Sequence, residues 1–311
     1  MRIDEVSPSE YGAVFGRTPH IFNSVEFSEL NRSKVTALHY LAFKDTKTRF
    51  GLILGERKDG LYSPFSAPFG GFSSNETQRL DKMEEAIALL KEHRDAGGRL
   101  PCKPINIVLP PLVYGETQLT KWTNVLHRHG TLSHIELNYH FYLPSFIGYE
   151  AVIGRNARKH LNRAMQEDFA FLVLDGTNDS DIERAYNIIK ANREEHGYPL
   201  RMTLQAVKDT SKILQADFFV MTYGGKDVAA AQVFHVAEGV AQVIYWGDLH
   251  AYSHLRTMNR LAYELFRHYH AQGLKTLDIG PSTEGGAPNY GLCDFKESIG
   301  CSVSPKFCFI L

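Results

Sequence analysis

The sequence predicts an α/β (α+β) protein of two domains, each a mixed, largely antiparallel sheet flanked by helices. Three observations carry this. The segments DFFVMTY, VAAAQVFHV and VAQVIYWG are separated by Gly224-Gly225-Lys226-Asp227 and by Glu238-Gly239, so short turns join three consecutive antiparallel strands. The most regular helical pattern, residues 253–272, is followed by the short apolar run LKTLDIG, and a strand, helix and strand in that order require a parallel, right-handed crossover. The first half alternates strand and helix patterns in a similar order, and 311 residues suffice for two ordinary domains.

From the N-terminal side, VTALHYLAF and TRFGLILGER are strands joined by a short polar turn, and Lys58-Asp59-Gly60 leads to a third at LYS. SPFSAPFGGF follows, with two prolines and two glycines among its aromatics. Its Phe69, Gly70 and Gly71 have two readings, the wall of a substrate cleft or an aromatic-pinned turn. Asn75 is read as the cap of a helix to about residue 96, with Leu80, Met83, Ile87 and Leu90 inward and Gly97-Gly98 as its stop. INIVLPP is a buried strand, residues 116–129 a second helix, and HIELNYHFYL a half-buried strand.

LPSFIGY carries junction punctuation, which puts the domain boundary near residue 150. Residues 154–166 form the one strongly basic helix, with Arg155, Arg158, Lys159 and Arg163 within nine residues; they are either a phosphate contact or a solvated face. FAFLVLDG is a strand, and residues 180–194 a helix opened by a Ser180–Glu183 capping box. A shorter helix spans about 203–214. After the three antiparallel strands, the helix at 253–272 has Ser253 as its expected N-cap and Gly273 as its stop, and VSPKFCFIL closes the chain as a strand.

Composition narrows the function. With 43% hydrophobic and 22% charged residues the chain is ordinary globular protein, and its formal net charge of −1 gives no overall pull toward nucleic acid. DNA is not an expected partner, and an RNA would need a local patch. MRIDEVSPSEYG has no apolar leader core and no apolar run approaches the ~20 residues of a spanning helix, so a cytoplasmic protein is the expectation. Four unevenly spaced cysteines form no disulfide framework, and Cys293 reads as small apolar filler. The histidine pairs 127/129 and 268/270 point different ways on their helices, so no metal site is expected. Phosphate-cradling loops and a nucleophile elbow are also missing from the pattern. What survives is chemistry without a protein nucleophile, and direct acyl transfer to an amine fits: the protein orients donor and acceptor, polarises a carbonyl and manages one proton.

The motifs GVAQVIYWG, SHLRTMNRLAYELFRHYHAQG, LKTLDIG and GLCDFKESIG stand in the order found in the FemABX-like branch of the GNAT acyltransferase superfamily, which the chain resembles from residue 240 to 300. The resemblance implies tandem GNAT-like domains, a diverged one at 1–150 and a transferase domain at 151–311. It implies an activated donor, acyl-CoA or aminoacyl-tRNA, lying where the strand at 240–246 splays from the strand at 274–279, and a small-molecule or cell-wall-precursor amine as acceptor. Lys296 matches the Phe-Lys lysine, expected beside the reacting acyl group with Phe295. Asp278, Tyr252, Asp248 and His250, at the ends of elements lining the same gap, are the candidates to move the proton, with Tyr245 and Trp246 along its wall and Arg155 and Arg158 at an alternative phosphate contact. The glycines of the usual CoA loop are missing from GDLHAYSHLR, as they are from FemABX-like enzymes, some of which take aminoacyl-tRNA, so weak or no binding of free CoA is expected and the donor stays open. The alternatives are a GNAT-fold protein that kept the cleft and binds without catalysis, and an aminoacyl-tRNA-dependent transferase acting on a cell-wall precursor.

Overall fold

Alternating apolar residues in the first half place side chains on two faces, and the chain builds accordingly. The computed structural model describes residues 1–16 and 18–311. The first elements are β1 (Arg2–Glu5), α1 (Pro8–Phe15), α2 (Val25–Leu30), β2 (Ala37–Lys44), β3 (Thr48–Glu56), β4 (Leu61–Ser63), β5 (Phe72–Ser73), α3 (Leu80–Asp95), β6 (Ile105–Val108), α4 (Glu116–His129) and β7 (Thr131–Tyr142). There follow α5 (Tyr149–Val152), α6 (Arg155–Ala164), β8 (Phe169–Leu174), α7 (Asp179–His196), α8 (Leu204–Ser211), β9 (Ala216–Tyr223), β10 (Lys226–Ala237) and β11 (Val240–Asp248). Last come α9 (Thr257–Ala271), β12 (Thr276–Pro281), β13 (Thr283–Glu284), β14 (Ala287–Pro288), α10 (Tyr290–Ser298) and β15 (Ser302–Ile310).

These divide into two units, one of Met1–Leu137 with Thr283–Ala287 and Ser304–Leu311, the other of Asn138–Ser282 with Pro288–Val303. The division differs from the boundary expected near residue 150, for two physical reasons. The closing strand pairs antiparallel with β6, Cys308 opposite Val108 and Phe309 opposite Ile107, and so completes the first unit. LPSFIGY is no linker: it forms a 3₁₀ turn running into α5, and its Leu143 and Tyr149 are buried in the core of the second unit.

In the first unit the strand order is β1-β2-β3-β4-β6-β15, with β4 and β6 parallel. Leu41, Phe43, Phe50 and Leu52 pack against Met83, Ile87 and Leu90 of α3 and Trp122 of α4, while Leu38, Tyr40 and Ile53 meet Tyr11 and Phe15 of α1 on the opposite face. Asn75 does not cap α3; its Nδ2 donates to the Val14 carbonyl instead.

The second unit orders its strands β7-β12-β11-β10-β9-β8, with β11 and β12 parallel as the crossover requires. Side chains alternate across it: Phe219 and Met221 share a core with α6 and α9, Phe218 and Val220 one with α7 and α8. Phe141 of β7 stacks on Phe266 of α9 at 4.0 Å. Two caps differ from expectation. Asn178, not Ser180, opens α7, its Oδ1 accepting from the Ser180 and Asp181 N–H groups. Residues His250–Leu255 form a 3₁₀ turn, so α9 begins only at Thr257, after Arg256 at φ 63°. That left-handed residue redirects the chain, and Ser253 lies too early to cap anything on α9.

Candidate active site

The site starts from a mismatch in strand lengths. β11 pairs with β12 only through Val240, Ala241 and Gln242, opposite Thr276, Leu277 and Asp278, yet runs on to Asp248. Along its other edge it follows β10 with a bulge at Ile244, since Gln232 faces Tyr245 while Val233 faces Val243. A bulge bends and overtwists a strand, and here β11 turns away from β12. From Val243 onward the edge that faced β12 has no strand partner among the described residues. β12 leaves regular pairing on its far side as well, with a shift against β7 between Asp278 and Pro281.

Buried polar side chains fill the base of this opening. Asp278 is fully buried and accepts hydrogen bonds from Asn138 Nδ2, Gln242 Nε2 and the Gly280 N–H, each at 2.8 Å. Gly280 takes φ 73°, a left-handed turn that a Cβ would strain, which is the physical content of the Asp-x-Gly sequence. His140 stands opposite Asp278 in the β7–β12 register, and burial pulls its pKa down against the raising influence of that carboxylate.

Lys296 enters from α10 and is only 2% exposed, which rules out the solvated-face reading. Its Nζ donates to the carbonyls of Ile279, Gly280 and Pro281 at 2.9, 2.9 and 3.0 Å. These carbonyls lie just past the last β11 partner at Asp278, across the register shift of β12 against β7, so the ammonium ties down the strand where its regular pairing breaks. The Tyr139 ring lies 5.4 Å from Nζ, and Tyr139 itself is anchored by donating to Glu297 Oε1. Burial pulls the Lys296 pKa down to about 8, although Cys301 and Asp278 act to raise it. Gly300 ends the motif at φ 87°, whereas Gly291 sits in α10, where a Cβ would meet Asn289 Oδ1 at an ordinary 3.7 Å.

The remaining expected residues scatter in role. Tyr245 and Trp246 point to opposite faces, Tyr245 toward the α7 side and Trp246 toward Phe295, whose ring lies 6.1 Å away. Asp248 is buried, and desolvation raises its pKa against a hydrogen bond from Ser253. It lies four residues beyond the Ile244 bulge, ~13 Å at strand rise, too far to move a proton there. His250 is exposed on the 3₁₀ turn, its N–H donating to Glu195 Oε2, and Tyr252 packs beside Tyr223. Arg155 and Arg158 are exposed on α6, with Arg158 reaching back to the Glu150 carbonyl. Phe69 corrects the cleft-wall expectation: it is fully buried among the rings of His20, Phe22 and Tyr114 in the first unit. Gly70 and Gly71 are tied down there too, donating to Val108 O and Ser63 Oγ, so their close approach is to the chain's own backbone rather than to a ligand.

One residue went unnoticed in the sequence. Arg193, in the last turn of α7, places its guanidinium 5.2 Å from the Tyr245 ring and 5.9 Å from that of Tyr198. Its Nε is buried without a hydrogen-bond partner, and burial pulls its pKa below the ordinary value. The available signal was local: Ile189, Lys190, His196 and Gly197 occupy the helical neighbour positions, so no carboxylate stands at pairing distance.

With this geometry in place, the chain can be set beside known proteins. Residues 154–297 match the family model described as an acetyltransferase (GNAT) domain. No curated protein matches the chain in sequence. Among solved structures it is similar to FemX, at 12% identity and a TM-score of 0.68 over 100% of this chain and 97% of that one. L-PGS from Bacillus licheniformis gives 14% and 0.62 over 98% and 92%. A tandem GNAT protein from the clavulanic acid biosynthesis pathway gives 8% and 0.53 over 88% and 82%. The splayed parallel pair lies within the stretch that the family match gives as a GNAT domain, residues 154–297. Its tandem GNAT-like fold is shared over the full chain with FemX.

Proposed function

We propose that the chain is an N-acyltransferase that moves an acyl or aminoacyl group from an activated donor to a substrate amine by direct attack, with the chemistry in the second unit and the first a diverged GNAT-like copy. The amine nitrogen adds to the donor carbonyl carbon, the bond to the donor's sulfur or oxygen breaks, and the proton lost by the amine leaves with the departing group. The observation that carries this reading is the unpartnered edge of β11 beyond Val243, facing a β12 whose loose carbonyls are already bonded to Lys296. Backbone donors left without a strand can polarise a carbonyl held in the opening. Lys296 acts here as a positioning residue with a fixed charge, and Asp278 as the clamp on the loop that begins at Gly280.

Acyl-CoA and aminoacyl-tRNA are the two donors to test, and a small-molecule or cell-wall-precursor amine is the acceptor class. The redirected chain at Arg256 stands where a glycine loop would otherwise cradle a pyrophosphate, which favours the aminoacyl donor. A thermal-shift panel of CoA, acyl-CoAs and aminoacyl-tRNA decides, because a ligand at ~100 times its Kd adds about 2.7 kcal/mol to stability. Stabilisation by acyl-CoA makes this a CoA-dependent enzyme. Stabilisation without turnover of any amine defeats the transferase reading in favour of a binding protein.

A further inference from the structure

Charge is sorted unevenly in the second unit. Residues 143–166 and 256–271 cover one side of its sheet, packing on the same core through Tyr149, Ile153, Leu161, Leu261 and Phe266. Together they hold seven lysine and arginine side chains against two carboxylates, Glu150 and Glu264, in a chain whose net charge is −1. Glu264 is buried and bonded by Arg260 and Arg267. Arg155, Arg158, Lys159, Arg163 and Arg256 have no carboxylate partner among the described residues. The first four are exposed, because Ala157, Leu161 and Ala164 take the inward stripe of α6. Mutual repulsion is already felt: His160 has its pKa lowered by burial and then by Arg256, Lys159 and Arg163. The next acids along the chain, Glu167 and Asp168, follow α6, and Glu167 is engaged by the Tyr223 hydroxyl.

Apolar side chains stand unburied in the same segment. Ile147 is 87% exposed and Val152 47%, in the two turns that lead into α6, and Tyr142 just before them is 54% exposed. Aliphatic side chains bared beside unpaired cations suit a surface that is anionic outside and apolar a few ångströms in. A nucleic acid would satisfy the cations and leave Ile147 and Val152 in water.

We propose that this side of the second unit docks on an anionic lipid surface, with Ile147 and Val152 entering the boundary between headgroups and acyl chains and Arg155, Arg158, Lys159 and Arg163 meeting the headgroups. The attachment proposed is to the surface of the lipid; no helix among the described residues is long and apolar enough to cross a membrane. It does not depend on the acyltransferase reading.

Sedimentation of the full chain with phosphatidylcholine vesicles, and with vesicles containing phosphatidylglycerol, tests this. Binding is expected only to the anionic vesicles and is lost at high salt. Each of Arg155→Gln and Lys159→Gln should weaken it about fivefold. Ile147→Asp should weaken it about tenfold or more at low salt while leaving the thermal unfolding midpoint unchanged, since the side chain is already in water. Failure to bind anionic vesicles, equal binding to neutral ones, or binding indifferent to Ile147→Asp would each overturn the assignment. So would a transfer RNA that binds more tightly than the vesicles and competes with them, which would give the cations to a nucleic acid instead.

Discussion

Replacing Lys296 by methionine, which keeps length and removes charge and donors, separates the two things the structure asks of this side chain. The native lysine titrates at about 8, against 10.5 for the ordinary side chain, because burial disfavours its ammonium form. That gap corresponds to about 3 kcal/mol. The sign follows from proton counting: between pH 8 and 10.5 the unfolded chain holds a proton that the native state has released, so stability rises with pH across this window. The contribution is complete above the unfolded pKa and gone below about pH 8. Opposing this desolvation, the ammonium satisfies three carbonyls, each costing about 1–3 kcal/mol if left unbonded. At pH 7 the Lys296→Met protein should therefore be less stable than wild type by only a few kcal/mol. On going to pH 10, the wild type should gain about 2.5 kcal/mol relative to the variant, which has nothing to titrate there. Urea unfolding of both proteins at the two pH values measures this, and the difference cancels other groups that titrate in common. A wild-type advantage that changes by less than about 1 kcal/mol would refute the buried, carbonyl-bound ammonium. In acyl transfer, wild-type turnover should fall as pH rises through about 8, where the fixed charge is lost.

Three further outcomes follow from the same geometry. Gly300→Ala forces a side chain onto φ 87° and within 3.3–3.4 Å of Val152, Ile153 and Phe141, so it should lower stability by about 1–3 kcal/mol; Gly291→Ala, in a helix where the added Cβ makes only an ordinary 3.7 Å contact with Asn289, should be neutral or stabilising by up to about 1 kcal/mol, and chemical denaturation compares the two. Gly247→Ala would overlap the Asn192 carboxamide and break its 2.7 Å bond to the Asp248 carbonyl, with an expected loss of about 2–4 kcal/mol by thermal unfolding. Arg193→Ala leaves the fold intact, because no ion pair or hydrogen bond of that side chain is broken, and should raise KM for an anionic substrate about tenfold or more with kcat little changed; an unchanged KM would confine Arg193 to packing on Tyr245.

Much of the second unit was legible because its signals are local. Turn chemistry at Gly224-Gly225 and Glu238-Gly239, the period of α9 and the short run before Gly280 fix β9 to β12, and their order forces the parallel pair. Caps were less legible. Several polar residues near a helix start can each accept from its free N–H groups, and only tertiary context chose Asn178 over Ser180. Residues 1–34 offered no long periodic run, so α1 and α2 are visible only where Tyr11, Phe15 and Phe27 find partners. The basic helix was evident, but its segregation from every carboxylate is a property of packing. So is the burial of Phe69: a Pro/Gly-rich aromatic loop looks the same in sequence whether its rings line a cleft or fill a core.

The two glycine-bearing motifs of the site read differently once the strand ends are considered together. When β12 leaves β11, each strand is left with unpaired N–H and C=O groups along the edge they would have shared, and buried groups of either kind must find partners. The chain treats the two sides unequally. On β12, Lys296 bonds the carbonyls of residues 279–281, and Asp278 takes the Gly280 N–H. On β11, no side chain among the described residues replaces the lost strand along the edge beyond Val243, apart from Asn192 at the Asp248 carbonyl. Removing acceptors from one wall while leaving donors on the other makes the opening favourable for an oxygen that gathers negative charge. A lysine is suited to this because a single ammonium can bond three converging carbonyls and still contribute a positive charge to the cavity. An arginine's planar fork could not meet the same three oxygens, so Lys296→Arg should disturb the loop as much as Lys296→Met does, despite keeping the charge. Full activity in the arginine variant would mean that charge alone matters, and that the strand-end argument is wrong.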